Sequence, residues 1–275
     1  MSELVAVGKS GTAIRKANAE GRGALIGYLP AGFPSYEGGI DAIKALIDGG
    51  VDVVEVGLPY SDPVMDGVTI PRAAEAALAG GLRTRDVLST VEKVAAYSDV
   101  PVLVMTYWNP VERYGVDRFA ADFASAGGAG LITPDLIPDE GAEWIAAADK
   151  NELDKVFLVS PSSTDERIKL TTSNCRGFVY ATAVMGVTGE RDKPSDLAPP
   201  LVARTKAVTG LPVGVGLGVS NGDQAAAVAS YADAVIVGSA LVRVLEDGAG
   251  PAGVRRLTEA LAEGVRREPS ATAGR

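Results

Sequence analysis

Eight short runs of β-branched and aliphatic residues recur along the chain, separated by about 20 to 50 residues. Ala-rich segments with the periodicity of amphipathic helices, such as residues 40–48 and 116–124, lie between most of these runs. Alternating strands and helices predict parallel strands joined by crossover helices. The runs begin near Ala24, Val53, Pro101, Gly130, Lys155, Gly177, Pro212 and Ala234.

Eight strand-helix units in about 250 residues favour an α/β fold of the (β/α)8 TIM barrel type. An open, doubly wound sheet is the alternative. The first 20 or so residues predict an added N-terminal helix, and the long connection between the second and third runs predicts extra structure there. Because no linker or low-complexity block divides the sequence, residues 1–275 are predicted to form a single domain.

The composition excludes several classes of function. The chain has no histidine, so catalysis by Ser-His-Asp or Cys-His groups is excluded, and proton transfer falls to carboxylates, Tyr or Lys. One cysteine permits no internal disulfide, and a net charge of −9 argues against nucleic acid or an anionic membrane as partner. Without a secretory signal or a long apolar run, we expect a cytoplasmic protein.

Two glycine-containing segments resemble nucleotide-binding motifs but lack the glycine spacing that those motifs require. Residues 7–12 lack the first glycine of a P-loop, because Glu3 stands there. Residues 213–220 place Val219 where a dinucleotide fingerprint needs its third glycine. No nicotinamide or flavin cofactor is therefore predicted.

The carboxylate of Glu55 lies within a run that otherwise predicts a buried strand, V-V-E-V-G. Alternation places Val54 and Val56 on one face and Glu55 on the other, and both faces of a parallel barrel strand are buried. An unpaired ionised carboxylate there costs several kcal/mol, about as much as a fold can tolerate. Either a core Lys or Arg pairs with Glu55, or Glu55 serves catalysis at the C-terminal end of its strand.

The loop after this strand holds two more carboxylates. Asp62 lies in Ser61-Asp62-Pro63, which predicts a turn stabilised by its own side chains. Asp66 precedes Gly67 and is either a turn residue or a second catalytic acid. Two carboxylates in different surroundings at one barrel mouth would have different pKa values, which separates the roles of acid and base.

The last two strands end in glycine-rich segments that suit phosphate binding. Gly218, Gly238 and Ser239 are small enough to let backbone N–H groups approach an anion, although tight turns at barrel closure would also need them. Backbone capture needs no net positive charge. Residues 185–194, after the sixth strand, are either a solvated loop or a lid.

Four motifs in this order resemble the tryptophan synthase alpha chain family over nearly the whole sequence. They are E-V-G-L-P-Y-S-D-P-V-M-D-G at 55–67, G-V-T-G at 186–189, G-L-G-V-S at 216–220 and G-S-A at 238–240. The long second-strand motif is the specific one. The resemblance implies cleavage of indole-3-glycerol phosphate to indole and glyceraldehyde 3-phosphate without a cofactor in this chain.

The resemblance also implies roles for individual residues. Glu55 is expected to be the acid-base residue and Asp66 to hold the indole N–H. Tyr180 is expected to be a third catalytic residue, which hydrogen-bonds near Glu55. Tyr28 and Tyr107 match apolar walls of an indole pocket. Further matches are Thr188 and Gly189 in the lid, Gly218, Gly238 and Ser239 in the phosphate cradle, and Asp62, Asn109 and Pro110 on a surface facing a partner.

That partner is the family's beta chain, which uses pyridoxal phosphate, in an alpha-beta-beta-alpha heterotetramer. Three alternatives stay open: a stand-alone lyase, a subunit that mainly activates its partner, and another phosphate-binding barrel such as a sugar-phosphate isomerase. The sequence departs from the family at Ala183 and Val184 before G-V-T-G, at Val68 and Pro71 after D-G, and at Pro138 in the fourth loop. Neither catalytic carboxylate is lost.

Overall fold

The computed structural model describes residues 7–182, 196–216 and 218–267. Nine strands and twelve helices alternate along these residues. The strands are β1 Ala24–Pro30, β2 Val53–Gly57, β3 Val102–Met105, β4 Gly130–Ile132, β5 Asp154–Val156, β6 Leu158–Val159, β7 Val179–Thr182, β8 Val213–Gly216 and β9 Ala234–Val237. The helices are α1 Gly8–Ala19, α2 Tyr36–Asp48, α3 Thr69–Ala79, α4 Thr84–Ala95, α5 Trp108–Tyr114, α6 Val116–Ser125, α7 Ala142–Lys150, α8 Asp165–Asn174, α9 Ala198–Lys206, α10 Gly222–Ala229, α11 Ser239–Glu246 and α12 Gly250–Val265.

The strands form one sheet in the order β5-β4-β3-β2-β1-β9-β8-β7-β6, and every strand pair in it is parallel. Its two ends, β5 and β6, are consecutive parts of one chain segment, 154–159, interrupted at Phe157. This segment contacts β4 on one side and β7 on the other, so the sheet closes on itself. The barrel prediction is confirmed and the open sheet is wrong, while the predicted fifth strand is divided in two.

Side chains of the strands alternate between the barrel interior and the helical layer, as the period of two requires. On β2, Val54 and Val56 pack in the outer core between strands and helices, whereas Val53 packs in the interior. Both faces are buried, which explains why the strands are nearly continuous apolar runs. The face of β2 that holds Val53 also holds Glu55.

Helix α1 covers the N-terminal end of the barrel, as the prediction of an added N-terminal helix requires. Ile14 and Ala17 are fully buried among interior residues at the strand starts, including Val53. Asp154, at the start of β5, accepts hydrogen bonds from the backbone N–H (2.8 Å) and hydroxyl (2.6 Å) of Ser10. The open end of the barrel is therefore the C-terminal one.

The long second connection contains two helices, α3 and α4, which confirms the predicted extra structure. Helix α2 ends at Asp48, and Gly50 then adopts a φ of 98°, a left-handed conformation that favours glycine.

None of the helices in the described ranges is long and apolar enough to cross a membrane. That residues 1–275 form a single domain stays a prediction.

Candidate active site

Glu55 is buried inside the barrel, one layer above the end that α1 covers. Its side chain shares the interior face of β2 with Val53 below it and Gly57 above it. Only 1% of the residue is exposed. Glu55 therefore points neither into the helical layer nor to bulk solvent.

The carboxyl of Glu55 has no cation beside it in the described part of the chain. Its Oε1 is buried without a hydrogen-bond partner there. Burial alone raises the pKa of Glu55 to about 8, because no neighbouring positive charge offsets the loss of water. A carboxyl with this pKa is protonated at neutral pH and can donate a proton.

Two tyrosines share the interior environment of Glu55. Tyr28 on β1 is the direct register partner of Glu55, and Tyr180 lies on β7. Burial raises the pKa of both phenols, and the charges of Glu55 and Asp66 raise them further. Both phenols therefore stay protonated and available as hydrogen-bond donors.

Two glycines make room for these phenols. A Cβ added at Gly57 would lie 2.2 Å from the hydroxyl oxygen of Tyr28, and one added at Gly216 would lie 2.3 Å from that of Tyr180. Sequence analysis missed this role for both glycines. For Gly57 the sequence did hold a signal, because Gly57 follows Glu55 by two residues and therefore lies on the same face of β2.

Asp66 lies in the loop between β2 and α3 and is partly buried. The hydroxyl of Tyr107 donates a hydrogen bond of 3.1 Å to its Oδ2. Burial raises the pKa of Asp66, and this hydrogen bond opposes the rise. Both carboxylates influence the same two phenols, Tyr28 and Tyr180, so the structure places all of them at one end of the barrel.

A cleft opens beside Asp66. Its walls are mostly apolar with few polar groups, as is usual for small-molecule sites. Pro71, one of the departures from the family pattern, is in its wall. The lining residues are Tyr28, Leu58, Pro59, Tyr60, Pro63, Asp66, Ile70, Pro71, Ala74, Met105, Thr106, Tyr107 and Pro134.

Gly218 and Gly238 follow neighbouring parallel strands, β8 and β9, so the two glycine loops lie side by side at the barrel mouth. Gly218 has a φ of 69°. Gly238 precedes helix α11, which begins at the buried Ser239. The first N–H groups of a helix have no partner within it, so this edge can accept an anion.

The predicted partner-facing residues lie in the loops after β2 and β3. Asp62 is exposed and accepts a hydrogen bond from the Ser61 hydroxyl. The amide of Asn109, which precedes Pro110 in α5, donates to the Tyr60 hydroxyl at 3.4 Å. In the loop after β2, Val64 is 74% exposed and Val68 is 68% exposed.

The predicted lid residues, Thr188 and Gly189, lie outside the described residues, as do Ala183 and Val184.

A closed parallel barrel with a buried, unpaired carboxyl near its mouth is the architecture of a barrel enzyme. The family model for the tryptophan synthase alpha chain matches residues 14–268. The chain therefore belongs to the tryptophan synthase alpha chain family, a family of lyase subunits.

Individual relatives agree with the family match. The tryptophan synthase alpha chain of Acidothermus cellulolyticus is 62% identical over 262 residues, covering 94% of this chain and 98% of the relative. That of Salinispora arenicola is 60% identical over 93% and 97%. The solved structure of Mycobacterium tuberculosis tryptophan synthase has a TM-score of 0.91 and 55% identity, covering 95% of this chain and 100% of the matched chain.

Proposed function

We propose that the chain cleaves indole-3-glycerol phosphate into indole and glyceraldehyde 3-phosphate, with Glu55 as the acid-base residue. The observation behind this proposal is the buried, unpaired carboxyl of Glu55 with a pKa near 8. Such a group holds a proton at neutral pH and gives it up to a base of matched strength. Family membership supports the assignment.

Cleavage proceeds in two proton transfers. Glu55 first donates its proton to C3 of the indole ring, which makes the ring a cationic indolenine. The resulting carboxylate then takes the proton of the adjacent glycerol hydroxyl. The oxygen forms a carbonyl, the carbon–carbon bond breaks, its electron pair returns to the ring, and Glu55 regains its proton.

Asp66 acts on the positively charged ring that the first proton transfer produces. As a carboxylate it accepts a hydrogen bond from the indole N–H and stabilises the charge that develops on the ring. The apolar cleft beside Asp66, with Tyr28 and Tyr107 in its wall, suits a flat aromatic ring. The phosphate lies against Gly218, Gly238 and Ser239, where backbone N–H groups hold it.

The chain itself needs no cofactor, because the chemistry consists of proton transfers by Glu55, with Asp66 stabilising the charge on the ring. We infer a cytoplasmic hetero-oligomer, an alpha-beta-beta-alpha tetramer with a pyridoxal-phosphate beta chain. The exposed apolar Val64 and Val68 beside Asp62, near Asn109 and Pro110, support a partner on this surface.

The direct test is indole release from indole-3-glycerol phosphate by the purified chain, alone and with a beta chain. We expect measurable single-turnover cleavage by the chain alone and faster turnover with the beta chain. Equal rates would support a stand-alone lyase instead. No cleavage in either case, with no binding of indolepropanol phosphate, would overturn the proposed reaction.

A further inference from the structure

The hydroxyl of Tyr107 forms hydrogen bonds with two consecutive residues of the loop after β2. The backbone N–H of Met65 donates to this oxygen at 3.0 Å, and the oxygen donates to Oδ2 of Asp66 at 3.1 Å. A phenol has one proton, and Met65 occupies an acceptor position on the oxygen. The proton of Tyr107 is therefore directed at Asp66.

Tyr107 is buried, whereas much of the loop that it contacts is partly or fully exposed. It lies two residues after the end of β3, is the residue before helix α5, and is 7% exposed. Its ring packs on Tyr60 with centroids 5.3 Å apart, and the Thr106 hydroxyl donates to its carbonyl oxygen at 2.8 Å. Asp66, in contrast, lies in a segment without helix or strand. The hydroxyl thus ties an irregular loop to a buried residue just after β3.

The same hydrogen bond acts on the charge of Asp66. Burial favours the neutral acid and raises the pKa of Asp66, whereas a donor facing the carboxylate favours the ion and lowers it. Tyr107 remains a donor at neutral pH, because burial raises its own pKa to about 12. The proposed cleavage reaction requires Asp66 to be an ionised carboxylate.

We propose that Tyr107 is a positioning residue that orients the Asp66 carboxylate toward the ring nitrogen and keeps it ionised. Tyr107 therefore has a second role besides that of an apolar pocket wall. The inference rests on the proposed function of Asp66 in cleavage.

The test compares Tyr107→Phe with the unaltered chain, since this change removes the hydroxyl and keeps the ring. We expect kcat to fall by about 10- to 100-fold, as for loss of a group that stabilises charge in the transition state, with KM changed less than about threefold. The acid limb of the kcat/KM pH profile should move to higher pH, by at least about 0.5 pH unit, because Asp66 loses the donor that favours its ion.

A double-mutant cycle separates action through Asp66 from a general disturbance. With Asn at position 66, Tyr107→Phe should reduce kcat by less than about twofold, because the group it positions is already gone. Tyr114→Phe is the matched control, since Tyr114 also donates to a carboxylate, Asp122, at 2.7 Å on a different surface. It should leave kcat and the acid limb within error.

Substrate-free titration keeps this inference separate from the proposed reaction. The carboxyl carbon of Asp66, followed by NMR in ¹³C-labelled protein, should titrate at higher pH in Tyr107→Phe than in the unaltered chain. If its titration does not move, Tyr107 does not act through Asp66, whatever the activity. Equal losses from Tyr107→Phe with Asp and with Asn at position 66 would also overturn the inference.

Discussion

The hydroxyl of Tyr28 occupies the space that a side chain at Gly57 would fill. The distance from its oxygen to an added Cβ would be 2.2 Å, and two ring carbons would lie within 2.7 Å. Gly57 follows Glu55 on the same face of β2, so the aromatic ring of Tyr28 reaches over the mouth side of the catalytic layer.

Gly57→Ala should therefore displace the Tyr28 ring from its place beside Glu55. Overpacking of this kind costs about 1–3 kcal/mol of unfolding free energy, and we expect kcat/KM for cleavage to fall by about 10-fold or more. Urea unfolding and steady-state kinetics measure the two effects. Adding Tyr28→Leu to Gly57→Ala should recover the stability; unchanged stability in Gly57→Ala alone would contradict the relationship.

Gly216→Ala should act in the same way on Tyr180, whose hydroxyl oxygen would lie 2.3 Å from the new Cβ. Because Tyr180 lies near Glu55, we expect lower kcat with the fold retained. Gly210→Ala is the control, since an added Cβ there meets no atom within 4 Å. A Gly216→Ala variant as active as Gly210→Ala would show that the Tyr180 ring is free to shift.

The stability of the protein should depend on pH through Glu55. Its pKa is about 8 when folded and near 4.5 when unfolded, so the folded state binds the extra proton between these values. The contribution of Glu55 to the free energy of unfolding is fully present below about pH 4.5. This contribution is lost as the pH rises toward 8.

Glu55→Gln removes this ionisable group. The variant should therefore gain stability relative to the unaltered chain as pH rises from 5 to 8, by about 1–4 kcal/mol at pH 8. Urea unfolding at several pH values measures the difference. Glu75→Gln, on the exposed side of α3, is the control for loss of a carboxylate. A difference that does not grow with pH would mean that Glu55 is already ionised in the folded protein.

Ser10→Ala should loosen helix α1 from the barrel floor. The fully buried Asp154 would lose the Ser10 hydroxyl and keep the Ser10 backbone N–H as a donor to the same oxygen. Loss of a hydrogen bond to a charged group costs about 1.5–3 kcal/mol. Hydrogen exchange across residues 8–19 should accelerate, while cleavage is unaffected at temperatures where the chain is folded. Thr12→Ala, which removes only an exposed hydroxyl bond to Gly8 within the same helix, should change exchange far less.

The sequence was sufficient to predict the barrel, because eight runs separated by helical segments leave few parallel arrangements. It also placed Glu55 on the interior face, since alternation along β2 needs only the period of two. The division of the fifth run at Phe157 was not predicted, because its residues, K-V-F-L-V, are uniformly apolar after the lysine and contain no glycine or proline. The break depends on pairing with β4 and β7, which are distant in sequence.

The features of the site that sequence analysis missed depend on where the terminal atoms of side chains lie. Tyr107 was interpreted as an apolar wall, which its ring is, but its hydroxyl contacts Met65 and Asp66 some 40 residues earlier in the chain. The buried carboxylate of Asp154 was likewise missed. Its donor, Ser10, is 144 residues away. Periodicity identifies the face that a residue occupies and not the partner of its terminal atom.

The central claim is that Glu55 transfers the proton that breaks the carbon–carbon bond. The most direct measurement compares single-turnover cleavage of indole-3-glycerol phosphate by the unaltered chain and by Glu55→Gln, together with the affinity of each for indolepropanol phosphate. We predict that Glu55→Gln cleaves about 10²-fold more slowly or worse, while its affinity stays within a few-fold. Cleavage retained in Glu55→Gln, or lost only in proportion to affinity, would contradict the account.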